Sequence, residues 1–342
     1  MSLRHQTAHP SKANPENVNY TNLQKKDDDV EFNLKADQIF EEIYKGKEET
    51  VRDWMREIVK YPLTTDTCLM DENAPRNRFQ NILLYDGNRV KIRDKSRGND
   101  YYHASYVDGY DKCKRYIVAQ APFDDVTEFD FWRLVSSSKP SMIILLGNVN
   151  SEKDHFIPQF WKTERKDKKH YNEITVKTTD VISSKHWDTY AIELNDKAKV
   201  ESKRKSHFYL LHYRVWMNDN VVPEYILDFR AHYQLKKAEC EVKKMEGPIM
   251  IVCPTGTHRA SFFAAMDIIM ERINQEKRVG VRSTVQIIAQ QRYGSFIFFE
   301  HYVNLIDTII KHCISSNIID LHLLAEAELK KKKNGDGKQK EE

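Results

Sequence analysis

A cysteine and an arginine stand close together in the stretch IMIVCPTGTHRAS, residues 249 to 261. Four apolar residues lead into Cys253, and a turn that contains Pro254 and Gly256 follows. Arg259 comes six positions after the cysteine. A buried strand that ends in such a turn and feeds a helix directs backbone N–H groups and the positive end of the helix dipole at one point. We therefore expect an anion to bind beside Cys253.

The same surroundings favour the thiolate of Cys253, which is a strong nucleophile at neutral pH. Arg259 offers a planar fork that matches two oxygens of a phosphoryl group. The prediction is a cradle that binds a phosphoryl anion and activates the attacking sulfur. Two other interpretations stay open on this stretch alone. One is a buried cysteine beside a solvent-facing arginine, and the other is a sulfur-transfer or arsenate-reducing enzyme with the same spacing.

Composition narrows the class of protein. Of the 342 residues, 40% are hydrophobic and 31% are charged, which is typical of a soluble globular chain. The formal charge of +3 is too small to indicate nucleic acid binding, so any anion site must be local. The five cysteines are odd in number and lack paired metal-type spacing, and we expect neither disulfides nor a metal site. No organic cofactor is implied either.

The sequence also carries expectations about location. No apolar run approaches the roughly 18 residues of a membrane span, and the first residues lack the apolar stretch of a signal peptide. We therefore expect a cytoplasmic protein without a membrane span. Nothing in the sequence tests the oligomeric state, and a monomer is the default.

Three regions follow from the composition along the chain. Residues 1–32 are polar and are predicted to be disordered, and residues 317–342 are predicted to form a helical to disordered basic tail. Residues 33–316 contain no linker, repeat or abrupt shift in composition, so they are expected to form one domain. Near its start, an apolar face at helical spacing predicts an amphipathic helix. That face consists of Val51, Trp54, Met55 and Ile58.

The middle of the chain has the pattern of a sheet, and the end has the pattern of helices. The segments that resemble strands are NRVKI, HASYVDGY, YIVAQ, MIILLG, NEITVKTT, TYAIEL, FYLLHYRVW and PIMIVC. A helix is predicted after Pro223, and three more at roughly 260–274, 283–292 and 298–316. The predicted fold is α/β or α+β: a single domain with a large, highly twisted mixed sheet flanked by helices.

Several segments in a fixed order resemble the protein tyrosine phosphatase family of the classical, phosphotyrosine-specific type. They are NRFQNILLYDGNRVKI (77–92), DYYHASYVDGY (100–110), YIVAQAP (116–122), DFWRLV (130–135), QFW (159–161) and HYRVW…VPE (212–224). The cradle is similar to the signature loop of that family. Because the resemblance covers roughly residues 35–312, it favours the phosphatase class over sulfur transfer or arsenate reduction.

The resemblance implies a two-step reaction through a cysteinyl-phosphate, with phosphotyrosine-containing proteins as partners. Cys253 is the expected nucleophile and Arg259 the expected oxyanion clamp. Phe79 is expected to line one wall of the substrate slot, and Asn81 to hold the substrate backbone. The remaining expected substrate-binding residues form the cradle: Pro254, Thr255, Gly256, Thr257 and His258.

The loop that supplies the general acid in the family differs here. The segment WMNDNVVP, residues 216–223, is one residue longer than the family pattern. Counting from Trp216 places Asn218 at the acid position, whereas counting back from Pro223 places Asp219 there. Because an amide cannot release a proton as a carboxylic acid does, Asp219 is the provisional acid, and the alternative stays open.

Other departures lie in or near the cradle. Ile297 stands where the family has a water-orienting glutamine, and His301 stands at a second glutamine position. Ala260 replaces a hydroxyl residue that contacts the sulfur, His258 replaces a glycine, and Val252 replaces a histidine. Two hypotheses follow: a slow phosphotyrosine phosphatase, or a catalytically impaired pseudophosphatase that binds or scaffolds phosphotyrosine proteins.

Overall fold

The computed structural model describes residues 31, 33–58, 63–94, 97–151, 155–198, 205–322 and 325. The disorder predicted for residues 1–30 and the tail predicted beyond residue 325 lie outside the described residues. The domain limits at 33 and 316 remain a prediction.

An eight-stranded mixed sheet runs through the described part of the chain. Its strands are β1 (Ala104–Val107), β2 (Tyr116–Gln120), β3 (Met142–Leu146), β4 (Lys168–Tyr171), β5 (Ile174–Ser183), β6 (Trp187–Asp196), β7 (Ser206–Tyr213) and β8 (Ile249–Cys253). The strand order is β1-β2-β8-β3-β7-β6-β5-β4. The four strands β2, β8, β3 and β7 pair in parallel, and all other pairs are antiparallel. The predicted fold class is confirmed.

Helices flank this sheet. In the described residues they are α1 (Ile39–Glu42), α2 (Lys47–Met55), α3 (Asp66–Leu69), α4 (Asp125–Ser138), α5 (Ile226–Val242), α6 (His258–Glu276), α7 (Val281–Gln291) and α8 (Phe299–Ser315). Short 3₁₀ turns cover Ala36–Gln38, Tyr44–Gly46 and Ala74–Arg76. The limits of α6, α7 and α8 agree with the predicted helices to within two residues. The helix predicted after Pro223 is α5.

Three local predictions differ from the structure. The segment NRVKI forms no strand and makes only an isolated bridge, between Arg89 and Ser105. Helix α2 ends at Met55 because the next N–H groups bond three residues back, which tightens the chain into turns. Ile58 therefore lies beyond the helix, although it still packs against the core. Strand β4 was not predicted, because its residues KKHY are mostly exposed and carry no apolar alternation.

Strand β8 lies in the middle of the sheet and is buried on both faces. Ile249 and Ile251 belong to the core that contains the apolar residues of α6. Met250 and Val252 belong to the core on the opposite face, which contains Trp132 of α4. A parallel strand covered on both faces requires a continuous apolar run, which explains the sequence IMIV before the cysteine. Cys253 thus ends this strand at the carboxyl edge of the sheet.

A buried carboxylate ties the sheet to two helices. Asp267 in α6 has no exposed surface and accepts hydrogen bonds from the hydroxyls of Tyr116 in β2 and Tyr233 in α5, at 2.7 and 3.0 Å. Arg230 of α5 donates to the same carboxylate through Nε at 2.9 Å, and Gln234 donates through its amide at 2.7 Å. These contacts set the position of α6 and therefore of the loop that precedes it.

We expect Asp267→Ala to lower the free energy of unfolding by about 3–5 kcal/mol, because the substitution leaves the buried Arg230 without its counter-charge. Urea denaturation followed by circular dichroism measures the change. Asp53→Ala is the control, since Asp53 pairs with Arg56 on an exposed surface and such pairs contribute at most about 1 kcal/mol. Equal small effects of both substitutions would contradict a structural role for Asp267.

Candidate active site

A tight turn shapes the loop between β8 and α6. The amide of Gly256 donates to the carbonyl of Cys253 at 3.0 Å, and Gly256 has a φ of +63°. A Cβ atom at this position would lie 2.2 Å from the backbone nitrogen of Gln120. Gln120 is the neighbour of Cys253 in the register of β2 and β8. Only glycine therefore allows the loop to fold against β2 and turn into α6 at this point.

A buried arginine supports the loop from behind. Arg292 donates from Nε to the carbonyl of Gly256 at 2.8 Å and from Nη2 to Nδ1 of His103 at 2.8 Å. Burial lowers the pKa of Arg292 to about 10, so its charge persists at neutral pH. Burial and the charge of Arg292 lower the pKa of His103, which keeps this ring neutral and able to accept. No local sequence pattern could predict this contact, because it joins three distant segments.

Thr255 supplies a hydroxyl to the sulfur. The amides of Thr257 and His258 both donate to its Oγ1 atom at 3.2 Å, and the sulfur of Cys253 lies 3.6 Å from the same oxygen. Because two donors occupy the lone pairs of this oxygen, its own hydrogen is directed to the sulfur. The sequence predicted weaker stabilisation of the thiolate because Ala260 lacks a hydroxyl. The Thr255 hydroxyl offsets this loss from within the loop.

The side chain of Arg259 lies over the loop and is almost fully buried. Its Nη1 atom donates to the carbonyl of Trp216 at 2.7 Å. A Cβ atom on Gly147 would lie 3.1 Å from this Nη1 atom and 3.6 Å from Cδ of Pro254, so guanidinium and loop are packed at one point. The structure therefore brings Cys253, Thr255 and Arg259 together, as expected for a cradle.

Asp219 lies against the cradle. Its Oδ1 atom accepts from Nε of Arg259 at 2.6 Å, and its Oδ2 atom accepts from Nδ1 of His258 at 2.8 Å. Burial alone would raise the pKa of Asp219, but the hydrogen bond from His258 and the charge of Arg259 outweigh it and lower the pKa to about 2. The carboxylate is therefore ionised at neutral pH. The pairing of this carboxylate with Arg259 and His258 is therefore complete above the ordinary carboxyl pKa of about 4. It is lost as the pH falls towards 2, because the carboxylate becomes protonated.

The structure distinguishes the two residues that were open as the acid. The side chain of Asn218 accepts from the amide of Asn220 at 2.9 Å and is exposed. This local turn absorbs the extra residue of the loop and leaves Asp219 directed at the cradle. The role of Asp219 as proton donor stays a prediction, and an ionised carboxylate holds no proton to donate.

The predicted wall of the substrate slot is held by the end of β2. The side chain of Gln120 accepts from the amide of Arg78 at 3.2 Å and donates to the carbonyl of Arg76 at 2.6 Å. This fixes the segment before Phe79, whose ring is half-buried and meets the ring of His155 edge-on at 4.9 Å. Asn81 is exposed on the next turn. The roles of Phe79 and Asn81 in binding remain predictions.

The segment that carries the family's glutamines is apolar here. Ile297 is 54% exposed and offers no hydrogen bond to a water. The ring of Phe298 meets the ring of His258 edge-on at 5.1 Å. His301 is buried in α8 with its ring 5.2 Å from that of His258, and burial lowers its pKa to about 4, so it is neutral. Val252 and Ala260 are buried in the core.

The cradle is covered in this structure. Cys253 has no exposed surface, and the loop of residues 216–223 contacts Arg259 through Trp216 and Asp219. The carboxylate of Asp219 occupies an edge of the guanidinium that a phosphoryl group would otherwise contact. A substrate must therefore displace Asp219 from Arg259 before it binds in the expected manner.

The sequence of this chain matches a known protein family. A family model described as protein-tyrosine phosphatase matches residues 73–311, which is more than half of the chain. The chain belongs to the protein-tyrosine phosphatase family, and the resemblance in its motifs is confirmed.

The relatives that the chain matches include receptor-type tyrosine-protein phosphatases. It is 27% identical over 288 residues to receptor-type tyrosine-protein phosphatase zeta of Rattus norvegicus, across 80% of this chain and 12% of that protein. It is 28% identical over 262 residues to receptor-type tyrosine-protein phosphatase S of Gallus gallus, across 76% of this chain and 16% of that protein. The chain thus spans only a small part of the length of these relatives.

Two kinds of feature are absent from the described residues. Among them, no helix combines the length and apolar character needed to cross a bilayer. Within the same part of the chain, His, Cys, Asp and Glu side chains form no group of three suited to a metal ion.

We expect Thr255→Val to slow alkylation of Cys253 by iodoacetamide at pH 7 by about three- to tenfold, the worth of roughly one hydrogen bond to the sulfur. Peptide mass spectrometry follows the label at Cys253 separately from the exposed Cys113. Thr255→Ser keeps the hydroxyl and should alkylate at nearly the original rate. If serine and valine slow the reaction equally, the hydroxyl does not act on the sulfur.

Proposed function

We propose that this protein binds phosphotyrosine in proteins and hydrolyses it slowly through a cysteinyl-phosphate intermediate. The observation that carries the proposal is the cradle itself: the sulfur of Cys253 lies next to the hydroxyl of Thr255, and the guanidinium of Arg259 and Pro254 of the same loop both pack against Gly147. The thiolate attacks phosphorus, and the guanidinium with the loop amides stabilises the charge that develops on the oxygens. Membership of the family and the names of the relatives support tyrosine phosphate as the substrate class.

Two features support a low rate. Asp219 must leave Arg259 before substrate binds, and it is ionised while it is there. Ile297 cannot orient the water that hydrolyses the cysteinyl-phosphate. Both chemical steps therefore lack the helper that the family ordinarily uses.

The second candidate function is a pseudophosphatase that captures phosphotyrosine proteins without turnover. One observation favours it: the sulfur is fully buried and the guanidinium is already paired with an internal carboxylate. In this case a phosphoryl group would replace Asp219 as the partner of Arg259, and no chemical step would follow binding. Binding and scaffolding are then the whole function.

Location and partners follow from the same chemistry. A nucleophilic thiol remains reduced in the cytoplasm. We propose a cytoplasmic setting with phosphotyrosine-containing proteins as partners. No cofactor is required, since the thiolate and Arg259 supply attack and charge stabilisation. A monomer is the proposed state.

A stoichiometric assay tests the proposed function. Protein is mixed with p-nitrophenyl phosphate in excess, and phenol release is followed from the first turnover. We expect a burst of about one equivalent and then slow, sustained release, because formation of the cysteinyl-phosphate outpaces its hydrolysis. Cys253→Ser should abolish both phases. Arg259→Lys should weaken both, because lysine lacks the bidentate fork.

Three outcomes distinguish the candidates. Sustained release supports slow hydrolysis. No release, together with tight binding of a phosphotyrosine peptide that Arg259→Lys weakens, supports the pseudophosphatase. Neither release nor binding excludes both functions.

A further inference from the structure

His258 occupies a position that is unusual for a titratable side chain. Its amide donates to Thr255 and therefore belongs to the cradle. Its ring is directed at the loop of residues 216–223, where Nδ1 meets the carboxylate of Asp219. The rings of Phe298 and His301 lie about 5 Å from the ring on its other sides. The imidazole is thus held between the cradle and two flanking segments.

The contact with Asp219 fixes the tautomer of this ring. An ionised carboxylate only accepts hydrogen bonds, so Nδ1 of His258 carries a hydrogen. Nε2 is then the ring nitrogen that can exchange a proton with a bound molecule. A carboxylate that orients an imidazole and stabilises its cation is a common arrangement for general acid–base catalysis.

We propose that His258 is the proton donor and proton acceptor of the reaction, and that Asp219 is a positioning residue that orients it. This inference rests on the proposed hydrolysis of phosphotyrosine. The family uses separate residues for the two tasks: the acid of the loop donates a proton, and the glutamine at the position of Ile297 orients the water. The inference assigns both tasks to one side chain of the cradle.

The reaction then has two steps. In the first step the thiolate of Cys253 forms a bond to phosphorus, the bond from phosphorus to the tyrosine oxygen breaks, and Nε2 of His258 gives its proton to that oxygen. In the second step a water oxygen attacks phosphorus, its proton moves to Nε2, and the bond from sulfur to phosphorus breaks. Phosphate and tyrosine leave, and the thiolate and the imidazolium are restored.

Charged and titratable groups surround the ring. The carboxylate of Asp219 contacts it from the loop, and Arg259 follows it on the same helix. From α8, the nearest titratable ring is His301, which is neutral because burial lowers its pKa to about 4. The side chain of His258 keeps 11% of its surface exposed, and the amide of the same residue belongs to the cradle.

Dependence on the leaving group tests the assignment. Rates are measured for phosphotyrosine, a poor leaving group, and for 2,4-dinitrophenyl phosphate, which needs no proton. We expect His258→Gly to lower the rate for phosphotyrosine by about 10²–10⁴-fold. We expect a loss of less than about tenfold for the dinitrophenyl ester. Added imidazole should restore part of the phosphotyrosine rate by occupying the space of the lost ring.

Asp219→Asn distinguishes orientation from acid catalysis. If Asp219 acts through His258, the substitution lowers the phosphotyrosine rate in the unsubstituted protein but changes it little in the His258→Gly background. If Asp219 is itself the acid, it lowers the rate equally in both backgrounds, and the inference is overturned. Binding of a phosphotyrosine peptide by each variant shows that the cradle is folded.

The failure of this inference can be told apart from the failure of the proposed function. Turnover that is unaffected by His258→Gly, or lowered equally for both esters without rescue by imidazole, overturns the role of His258 alone. Absence of turnover by the unsubstituted protein with either ester overturns the hydrolytic function and the role of His258 together.

Discussion

The site depends on the pairing of a buried guanidinium with a carboxylate. Arg259 is 1% exposed, and a cation at such depth is costly unless a negative charge compensates it. Asp219 provides that charge at 2.6 Å, and a phosphoryl group would provide it in a complex. The two anions are alternative partners of one cation. Under the proposed function, substrate binding is therefore an exchange, and its free energy is the difference between two ion pairs rather than the full strength of the second.

This exchange requires a cradle that stays fixed while the loop of residues 216–223 changes partner. The fixed part is built from contacts between distant segments. Gly256 touches β2, Arg292 holds the carbonyl of Gly256, and Asp267 fixes α6 behind the loop. The loop of residues 216–223 is also tied to distant segments, through the carboxylate of Asp219 and through the bond from the side chain of Asn304 to the carbonyl of Asn220.

The sequence predicted the features that depend on local patterns. The apolar run before Cys253 predicted β8, and helical periodicity predicted α6, α7 and α8. It did not predict β4, whose residues are polar, or the irregular course of NRVKI. In the site, the types and spacing of Cys253 and Arg259 suggested a cradle, and the family segments elsewhere in the chain favoured it over the other interpretations. The match of the family model confirmed the family.

Other features of the site could not follow from the sequence because they join residues far apart in the chain. Counting along the long loop left both Asn218 and Asp219 open at the acid position, and Asp219 was the provisional choice only because it is a carboxylic acid. Which of the two faces the cradle depends on the turn made by the side chain of Asn218. The support from Arg292 depends on where the end of α7 meets the cradle. The hydroxyl of Thr255 was expected to line the site, but its contact with the sulfur depends on how the loop curls.

Several departures from the family pattern change where polar groups lie around the site. The hydroxyl absent at Ala260 is present at Thr255, and a titratable ring replaces the glycine at position 258, while Ile297 has lost the polar group. Polar functions have thus moved from the flanking segments into the cradle loop. Under the inference above, a proton carrier on the cradle loop remains with that loop when a substrate displaces Asp219 from Arg259, whereas an acid on the loop of residues 216–223 would be displaced with it. In this protein the loop carboxylate is better suited to compensating Arg259 and orienting His258 than to donating a proton, since both contacts require it to be ionised.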